Sequence, residues 1–530
     1  MRKKFVLLLS PVLALTSLGM TSCGGREPKP DVYTKDGKLK ISLRNLYFDN
    51  YTAGSNDIYL RQLQDRFQVS LSFQAYSWSN WETQVNGQVN GDNLPDVFHA
   101  NIDSYNYANY YKFWAEEEMI KPLPEDLSAW PNLKAMIDNT TNSDSLKIDG
   151  KLYGIPISKK VTGTDTPFSP FTYVYRRDWA KKYGVYQEND EYTWEQFQSL
   201  LEKFTEESSK YGRYAFADVE WGFPSITNFY KQVPHCFAQD ASGKYVNNYT
   251  TPEYLEGLEM SKTFMSKGWY HPDQNSAADG TMNVKYYSNQ IGIFYENLSY
   301  TNFVTLRKQL KATNASNKDF NIDDATAIMK IKGPDGKYAL EGTDNWFSMT
   351  FFDYKITDNK QAKLLDLFNY LLGEEGTRFA IYGIENYDYT MVNGKPQIVE
   401  EYWPTDENGT RARKDNGGKY LRYCVSLGYD TLEYDPLTEL DAVTYLNNWE
   451  KEMKGALKEN KLRVLKENAE VMWLTTDKKS NNSGSMRTNA LNNVMKFVYG
   501  KDLKTIDDFK KSFGSIWDVV LKEINDALGK

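Results

Sequence analysis

The sequence predicts an α/β protein of two lobes, and three observations carry that expectation. At 530 residues the chain is too long for one ordinary core. Its first hundred residues alternate period-two runs with helical-period runs, which favours β-α-β units, parallel pairing and helices on the sheet faces. A polar interval without hydrophobic period, Ser158 to Pro170, then separates two strand-like runs. Strand, loose crossing and strand is how a chain leaves one domain and enters a second.

In order, Leu39-Lys-Ile-Ser-Leu alternates apolar and polar and reads as the first strand, ending near Leu46. Ile58 to Phe67 has helical spacing and Val69 to Phe73 alternates again. Asn80 to Val89 is a second helix, and Leu94 to Phe98 opens the next strand. Tyr110 to Met119 and Leu127 to Ile137 read as shorter helices. An Asp149-Gly150 turn launches the short run that Pro156 bounds. Beyond the crossing Phe171 to Tyr175 is β-rich, and Thr193-Trp-Glu-Gln196 fits a capping box. Thr251-Pro252 caps and starts a helix that Gly268 ends. Strand-like runs follow at Tyr287 to Tyr295, Ala325 to Ile331 and Tyr338 to Leu340. A long helix begins near Lys360, the stretch 401–420 reads as a surface excursion, and Leu440 to Glu467 reads as helical.

Bulk properties exclude several classes. Hydrophobic residues at 40% and charged residues at 25% are near globular averages, which excludes gross disorder. Aromatics reach 15%, with 39 Tyr and 13 Trp, more than cores need, and point to recognition surfaces. A formal charge of −8 argues against nucleic acid or an anionic membrane as partner.

The N-terminus carries an address. Met1-Arg-Lys-Lys is a basic leader, and Phe5 to Met20 is an apolar run too short and too early to span a bilayer. Met20-Thr-Ser-Cys23 resembles a bacterial lipobox with Met where Leu is usual. Residues 1–22 are therefore expected to be a signal peptide, Cys23 the lipidated N-terminus, and 23–35 a tether. An ordinary signal peptide with an incidental cysteine is the alternative. Cys236 and Cys424 lie far apart, with no Cys-x-x-Cys spacing, and either a disulfide or two buried thiols fits them. Three His without His-x-x-x-His leave transition metals without their usual ligands.

Several motifs together resemble one family, the bacterial extracellular solute-binding proteins of ABC transporters, sugar-binding group (family 1). They occur in the family's order: Asn93-Leu-Pro-Asp-Val-Phe98; Asp149-Gly-Lys-Leu-Tyr-Gly-Ile-Pro156; Tyr175-Arg-Arg-Asp-Trp179 through Val185, followed by Tyr192-Thr-Trp-Glu-Gln-Phe197; Leu371-Leu-Gly-Glu-Glu-Gly-Thr377; and Tyr382-Gly-Ile-Glu-Asn386. The similarity is good over 35–395 and weaker after it. It implies a two-lobed periplasmic-binding-protein-like fold, each lobe a mostly parallel sheet flanked by helices, joined by about three crossing segments. Carried onto this chain, lobe one is 36–160 plus 346–388 and lobe two is 170–340 plus 395–530. The crossings fall in 149–179, at Gly342 to Asn345 and at Asp388 to Gly394. Some relatives carry a calcium loop after the Thr-Trp helix. Here that place reads Glu206-Glu-Ser-Ser-Lys-Tyr-Gly-Arg213, which lacks spaced oxygen ligands, so no calcium is expected there.

Sugars offer hydroxyl rims and apolar C–H faces, so a sugar site needs stacking aromatics beside planar polar groups, on loops leaving the carboxyl ends of strands. The candidates so placed are Tyr47, Asp49 and Asn50 after the first strand, and Trp78, Asn80 and Trp81 after the second. Asn101, Asp103 and Tyr105 follow the Pro-Asp-Val strand. In the other lobe they are Tyr295, Glu296, Asn297, Trp221 and Phe223, with Trp346 beside the second crossing and Trp473 late in the chain. For each Trp the competing role is core packing, and for each acid a turn cap or solvated surface.

The expectation that follows is a monomeric, lipid-anchored receptor on the outer face of a bacterial cell membrane. It captures a carbohydrate, an oligosaccharide by preference, and hands it to ABC permease subunits, with no catalysis, cofactor or nucleic acid and with the lipid as its only membrane contact. A receptor for a peptide or other non-sugar solute is the alternative. A secreted glycoside hydrolase, which needs two carboxylates about 5–10 Å apart, and a surface adhesin are the lesser ones.

Overall fold

The computed structural model describes residues 27–530 apart from 53, 79, 103–107, 159–167, 210–211, 220–223, 232–235, 279, 400–415, 427–439, 467 and 501. In chain order the strands are β1 (Leu39–Asn45), β2 (Val69–Ala75), β3 (Val97–Asn101), β4 (Gly154–Ser158), β5 (Phe171–Arg176), β6 (Glu191–Tyr192), β7 (Tyr214–Ala217), β8 (Phe237–Gln239), β9 (Tyr245–Asn247), β10 (Ile291–Asn297), β11 (Thr326–Ile331), β12 (Tyr338–Glu341), β13 (Trp346–Phe352), β14 (Tyr389–Val392), β15 (Lys395–Ile398) and β16 (Leu462–Leu465).

Two five-stranded sheets organise the chain, ordered β2-β1-β3-β13-β4 and β6-β11-β5-β10-β7. In the first, β1 runs parallel to β2 and β3, and β13 runs antiparallel to β3 and β4. In the second, β5 is antiparallel to β10 and β11, which run parallel to β7 and β6. Both sheets are thus mixed, where the sequence led to mostly parallel ones. The physical reason lies in the crossings. Strands β5 and β13 are each the first of their sheet after the chain arrives from the other lobe. Each enters at the edge where its neighbours end: Phe171 pairs with Asn297, and Ser348 with Asn101. A strand entering there must run against its neighbours. The same geometry puts the carboxyl edges of both sheets beside the crossings.

Local sequence chemistry explains the elements between the strands. The helix Ile58–Phe67 starts where Asp57 Oδ1 accepts from the amides of Tyr59 (2.8 Å) and Leu60 (3.0 Å). Thr193 and Gln196 form the expected capping box: the Gln196 amide donates to Thr193 Oγ1 at 3.3 Å, and the Thr193 amide to Gln196 Oε1 at 2.9 Å. The helix Pro252–Ser266 has Thr251 as its cap, and Gly268 follows it at φ +68°. Asp149 and Gly150 both have positive φ, and Ile148 and Lys151 exchange two backbone hydrogen bonds across them, a tight two-residue hairpin.

The inner strands are buried on both faces and carry buried residues at successive positions, as in β3, β4, β5 and β11, whereas β1 and β2 alternate and bury one face. Leu39, Ile41 and Leu43 of β1 enter one core of the first lobe, and Phe98, Ala100 and Phe351 the other. Tyr173, Tyr175 and Ile293 enter one core of the second lobe, and Val174, Phe294 and Ile328 the other. A further helical core joins the helices Asp477–Val498 and Ile516–Ala527 to residues of Pro252–Ser266, so the C-terminal helices pack on the second lobe.

Four further expectations are corrected here. The stretch read as helical from Leu440 to Glu467 is a helix only over Leu440–Lys458. Residues 462–465 form β16, which pairs parallel with β12. The excursion expected over 401–420 falls largely outside the described residues. Its end, however, opens the helix Gly417–Arg422, whose Leu421 is fully buried with Cys424 and Val425 in the core of the first lobe. The first lobe therefore reaches Ser426, which also bridges Ser158. The boundary expected at 388–395 is too early, because Tyr389–Val392 and Lys395–Ile398 form a hairpin that packs through Tyr389 and Ile398 on Ile381 and Tyr382, while Tyr389 bridges Glu385. Last, residues 29–34, expected to be free tether, are hydrogen-bonded to the first lobe. Cys236 and Cys424 are both buried free thiols, in different cores. Among the described residues no helix is long and apolar enough to cross a membrane.

Candidate functional site

The edge of the first sheet gathers an aromatic group. Tyr47 follows β1 in the short 3-10 turn Leu46–Asn50, which Asn45 caps by accepting from the Tyr47 amide at 2.9 Å. The Tyr47 ring meets Trp78 edge-on with centroids 5.8 Å apart and lies against Tyr423 at 5.0 Å. Its inner face stacks on His99 at 5.7 Å, 17° from parallel. Trp78 is 48% exposed, while His99 is fully buried. Burial pushes the His99 imidazole down to about 3, so it is neutral near pH 7. His99 Nδ1 lies 3.1 Å from Asn45 Oδ1. Tyr47 therefore rests on an uncharged flat support and is flanked by two more rings, one of them open to solvent. Asn101 ends β3 at the same edge, partly buried, and Asp49 is exposed in the turn after β1.

The edge of the second sheet holds a smaller, more polar group. Tyr295 on β10 packs against Tyr173 (4.9 Å) and Phe171 (5.9 Å), and its hydroxyl donates to Glu341 Oε1 at 3.1 Å. These residues line a small pocket with Ser225, Asn228 and Leu465. Its volume is about 20 Å³, room for a water or one hydroxyl group and far less than a sugar ring. Behind it the Tyr173 hydroxyl donates to Ser225 Oγ at 3.0 Å, and Ser225 donates through Oγ and its amide to Asp218. Asp218 is completely buried, and burial pushes its carboxyl up to about 7 against the opposing hydrogen bonds of Ser225, Tyr270 and Gln274.

The two edges meet at the crossing that joins Glu341 to Trp346. Asp344 accepts from Thr141 Oγ1 (3.0 Å) and Asn142 Nδ2 (2.7 Å) of the first lobe and pairs with Lys466 at 2.8 Å. Asn345 Oδ1 accepts the Thr141 amide at 2.9 Å. Gly342 lies so close to β16 that a Cβ there would sit 2.5 Å from Val464 Cγ1.

The structure sorts the predicted site residues. Tyr47, Trp78 and Asn101 share one edge, and Tyr295 heads the other pocket. Trp81 is only 6% exposed and belongs to a core of the first lobe, since it starts the inward stripe of the helix Trp81–Asn90. Asn80 Oδ1 is taken by the side chains of Ser77, at 2.5 Å from Oγ, and of Gln84, so it is engaged within its own turn. Glu296 is 7% exposed and turned to the opposite face of β10 from Tyr295, where it accepts from Asn283 at 2.9 Å. Asn297 accepts the Ser299 amide at 2.9 Å just before the helix Tyr300–Thr313. Trp346 is 2% exposed and donates Nε1 to the Thr141 carbonyl at 3.0 Å, and Trp473 stacks on it at 5.5 Å. Those two rings are occupied with each other. Asn50 is described only by its backbone, in the turn after β1. Asp103, Tyr105, Trp221, Phe223 and Cys23 lie outside the described residues, as does part of the loop tested for calcium.

Sequence reasoning missed Tyr423, Glu341, Tyr173, Ser225 and the supporting His99. Only Glu341 had a usable signal, since it ends a strand directly before a proposed crossing. Among the described residues no cluster of three or more His, Cys, Asp or Glu could hold a metal ion.

No protein-family model matches the chain, and no curated protein matches it by sequence. Solved structures do resemble it. The alginate-binding protein AlgQ2, solved without calcium ion, superposes with a TM-score of 0.64 at 14% identity, covering 93% of this chain and 98% of its own. An extracellular solute-binding protein from Bifidobacterium longum subsp. infantis gives 0.64 at 13%, covering 94% and 100%. The S. pneumoniae ABC-transporter substrate binding protein FusA, an EF-hand mutant in complex with fructo-nystose, gives 0.61 at 14%, covering 92% and 99%. At such identities the likeness speaks for architecture, and over nearly the whole chain it agrees with the two sheets and their crossings. The chain has the two-lobed α/β fold of solute-binding proteins.

Proposed function

We propose that this chain is a lipid-anchored substrate-binding protein that captures an oligosaccharide between its lobes and delivers it to an ABC importer. The observation that carries the reading is the Tyr47 group: a tyrosine seated on a neutral, buried imidazole, flanked by Tyr423 and a half-exposed Trp78, at the edge beside the crossings. Such a surface offers flat apolar area to C–H faces, while Asn101 and the Glu341–Tyr295 pair supply polar partners for hydroxyls. The structural neighbours support the solute class, since AlgQ2 binds alginate and FusA was solved with fructo-nystose. Closure of the lobes on ligand would be the state a permease recognises.

Anchoring rests on the lipobox-like Met20-Thr-Ser-Cys23 and places the protein outside the cytoplasm. The reading is of a receptor and not a hydrolase, so bound oligosaccharide leaves unchanged. The test is a panel of alginate, fructan, glucan and N-glycan oligosaccharides beside a peptide mixture, followed by Trp fluorescence and melting temperature. A sugar that shifts both, with the shift lost in Trp78→Ala, supports the proposal. A response to peptides alone, or turnover of a sugar, contradicts it.

A further inference from the structure

The segment before β1 does not behave as slack chain. Residues Thr34 to Lys38 form a tight turn: the Thr34 amide donates to the Lys38 carbonyl at 2.8 Å, and the Lys40 amide to Val32 at 2.8 Å. The chain therefore doubles back beside the start of β1, and Tyr33 bridges Leu39. It then pins itself to the loop after β13 and to the helix Asp358–Leu372. The Lys29 amide donates to the Lys355 carbonyl at 2.7 Å, and Lys29 Nζ pairs with Asp353 at 3.0 Å. Asp31 accepts from Thr357 Oγ1 and Asn359 Nδ2, both at 2.7 Å. All these partners lie where β1 and β3 begin and β13 ends, the edge of the first sheet opposite Tyr47. Val32 and Tyr33 are left 54% and 52% exposed on the outside of this docked segment.

We infer that residues 29–34 are a leash docked on the base of the first lobe, so that in the anchored protein this base faces the bilayer and the Tyr47 edge is held away from it. The inference rests on the proposed lipid at Cys23. Five residues lie between Cys23 and Lys29, so the six steps from one to the other reach roughly 20 Å when fully extended. The base cannot stand farther than that from the lipid surface. The seven residues of β1 put the Tyr47 edge roughly another 20 Å out. The outward-facing pair Val32 and Tyr33 suits the same surface, because a tyrosine places an apolar ring and a polar hydroxyl at a lipid–water boundary. Capture thus happens with the binding edge outward. A permease that takes solute from that edge requires the leash to release. Freed back to Leu39, the chain from Cys23 reaches roughly 50 Å, enough for the lobe to turn over.

The test uses the full lipidated chain on phosphatidylcholine vesicles containing an acceptor-labelled lipid. A donor dye is placed through Asp358→Cys at the base or Asn56→Cys near the binding edge. Both positions are exposed, and the native Cys236 and Cys424 are buried. The docked leash predicts several-fold stronger energy transfer from position 358 than from 56. The double variant Lys29→Ala/Asp31→Ala should erase that difference while leaving sugar binding intact. Equal transfer from both positions, or a difference that survives the double variant, overturns the inference. If mass spectrometry finds no lipid at Cys23, the anchoring proposal fails separately, and docking is then read on the soluble chain by hydrogen exchange. A protected Lys29 amide that becomes labile in Asp31→Ala supports the leash, and a labile one in the parent overturns it.

Discussion

Trp346 and Trp473 stack on each other with ring centroids 5.5 Å apart and planes 28° from parallel. They come from different bodies of the chain. Trp346 opens β13 in the first lobe, while Trp473 belongs to a stretch whose Val471, Met472 and Leu474 pack into the C-terminal helical core. Lys112 of the first lobe adds a hydrogen bond to the Thr475 carbonyl at 3.3 Å. Residues 471–475 thus strap the helical unit to the first lobe.

Cutting that strap has a definite cost. Trp473→Ala should lower stability by roughly 2–4 kcal/mol, the range for losing a large packed aromatic and its stacked partner. It should also raise the radius of gyration in solution scattering, while Trp473→Phe keeps most of both. A Trp473→Ala variant as stable and compact as the parent would show that the stack carries no load.

The Tyr47 group separates binding from stability. Trp78→Ala removes a half-exposed ring and should change stability by less than about 0.5 kcal/mol. Affinity for the recognised sugar should fall about tenfold or more, as for an aromatic anchor. Calorimetric titration beside urea denaturation reads both. A stable variant with unaltered affinity removes Trp78 from the site.

Gly342 fixes the crossing by its lack of a side chain. In Gly342→Ala the added Cβ would sit 2.5 Å from Val464 Cγ1 and 3.1 Å from Lys466 Cβ, so either the Val464 side chain or the β12–β16 pairing must give way. A loss of about 1–3 kcal/mol is expected in denaturant titration. Full stability would mean the two strands are not tightly paired.

Opposed titrations shape the pH profile. Asp218 is raised from 3.8 to about 7 by burial. Its contribution is complete below pH 3.8 and is lost as pH rises to about 7, by at most about 4 kcal/mol. His99 and His271 are lowered by burial from 6.5 to about 3 and about 4, so their contribution is present above 6.5 and lost as pH falls through that window. In the parent the slopes partly cancel. Asp218→Asn should unmask the histidines, and its stability should rise steadily from pH 4 to 7. An unchanged profile would mean Asp218 ionises freely in the folded state.

How much of this was legible in the sequence depended on the range of the interaction. The strand–helix–strand start, the Thr193–Gln196 box and the Asp149-Gly150 hairpin are set by residues within a few positions of each other, and the structure has all three. Asn80 and Asn297 stand on the expected loops, yet nothing local distinguishes an asparagine that binds a hydroxyl from one that bonds to its own neighbours, as Asn80 does to Gln84 and Asn297 to Ser299. The Trp346–Trp473 stack joins positions remote in sequence, so neither Trp alone shows whether it is a ligand platform or packed on another ring. Tyr423 was missed for the same reason: it follows a charge-rich stretch and reaches Tyr47 only because Leu421, Cys424 and Val425 bury themselves in the first lobe. The mixed sheets needed knowledge of which edge each crossing enters.

The most direct measurement is small-angle scattering of the full chain, with and without the oligosaccharide that shifts its Trp fluorescence, repeated on Trp78→Ala. The proposal predicts a smaller radius of gyration on adding the sugar to the parent and no change in the variant at the same concentration. Binding that leaves the radius unchanged, or compaction that survives loss of Trp78, would contradict capture between the lobes at the Tyr47 edge.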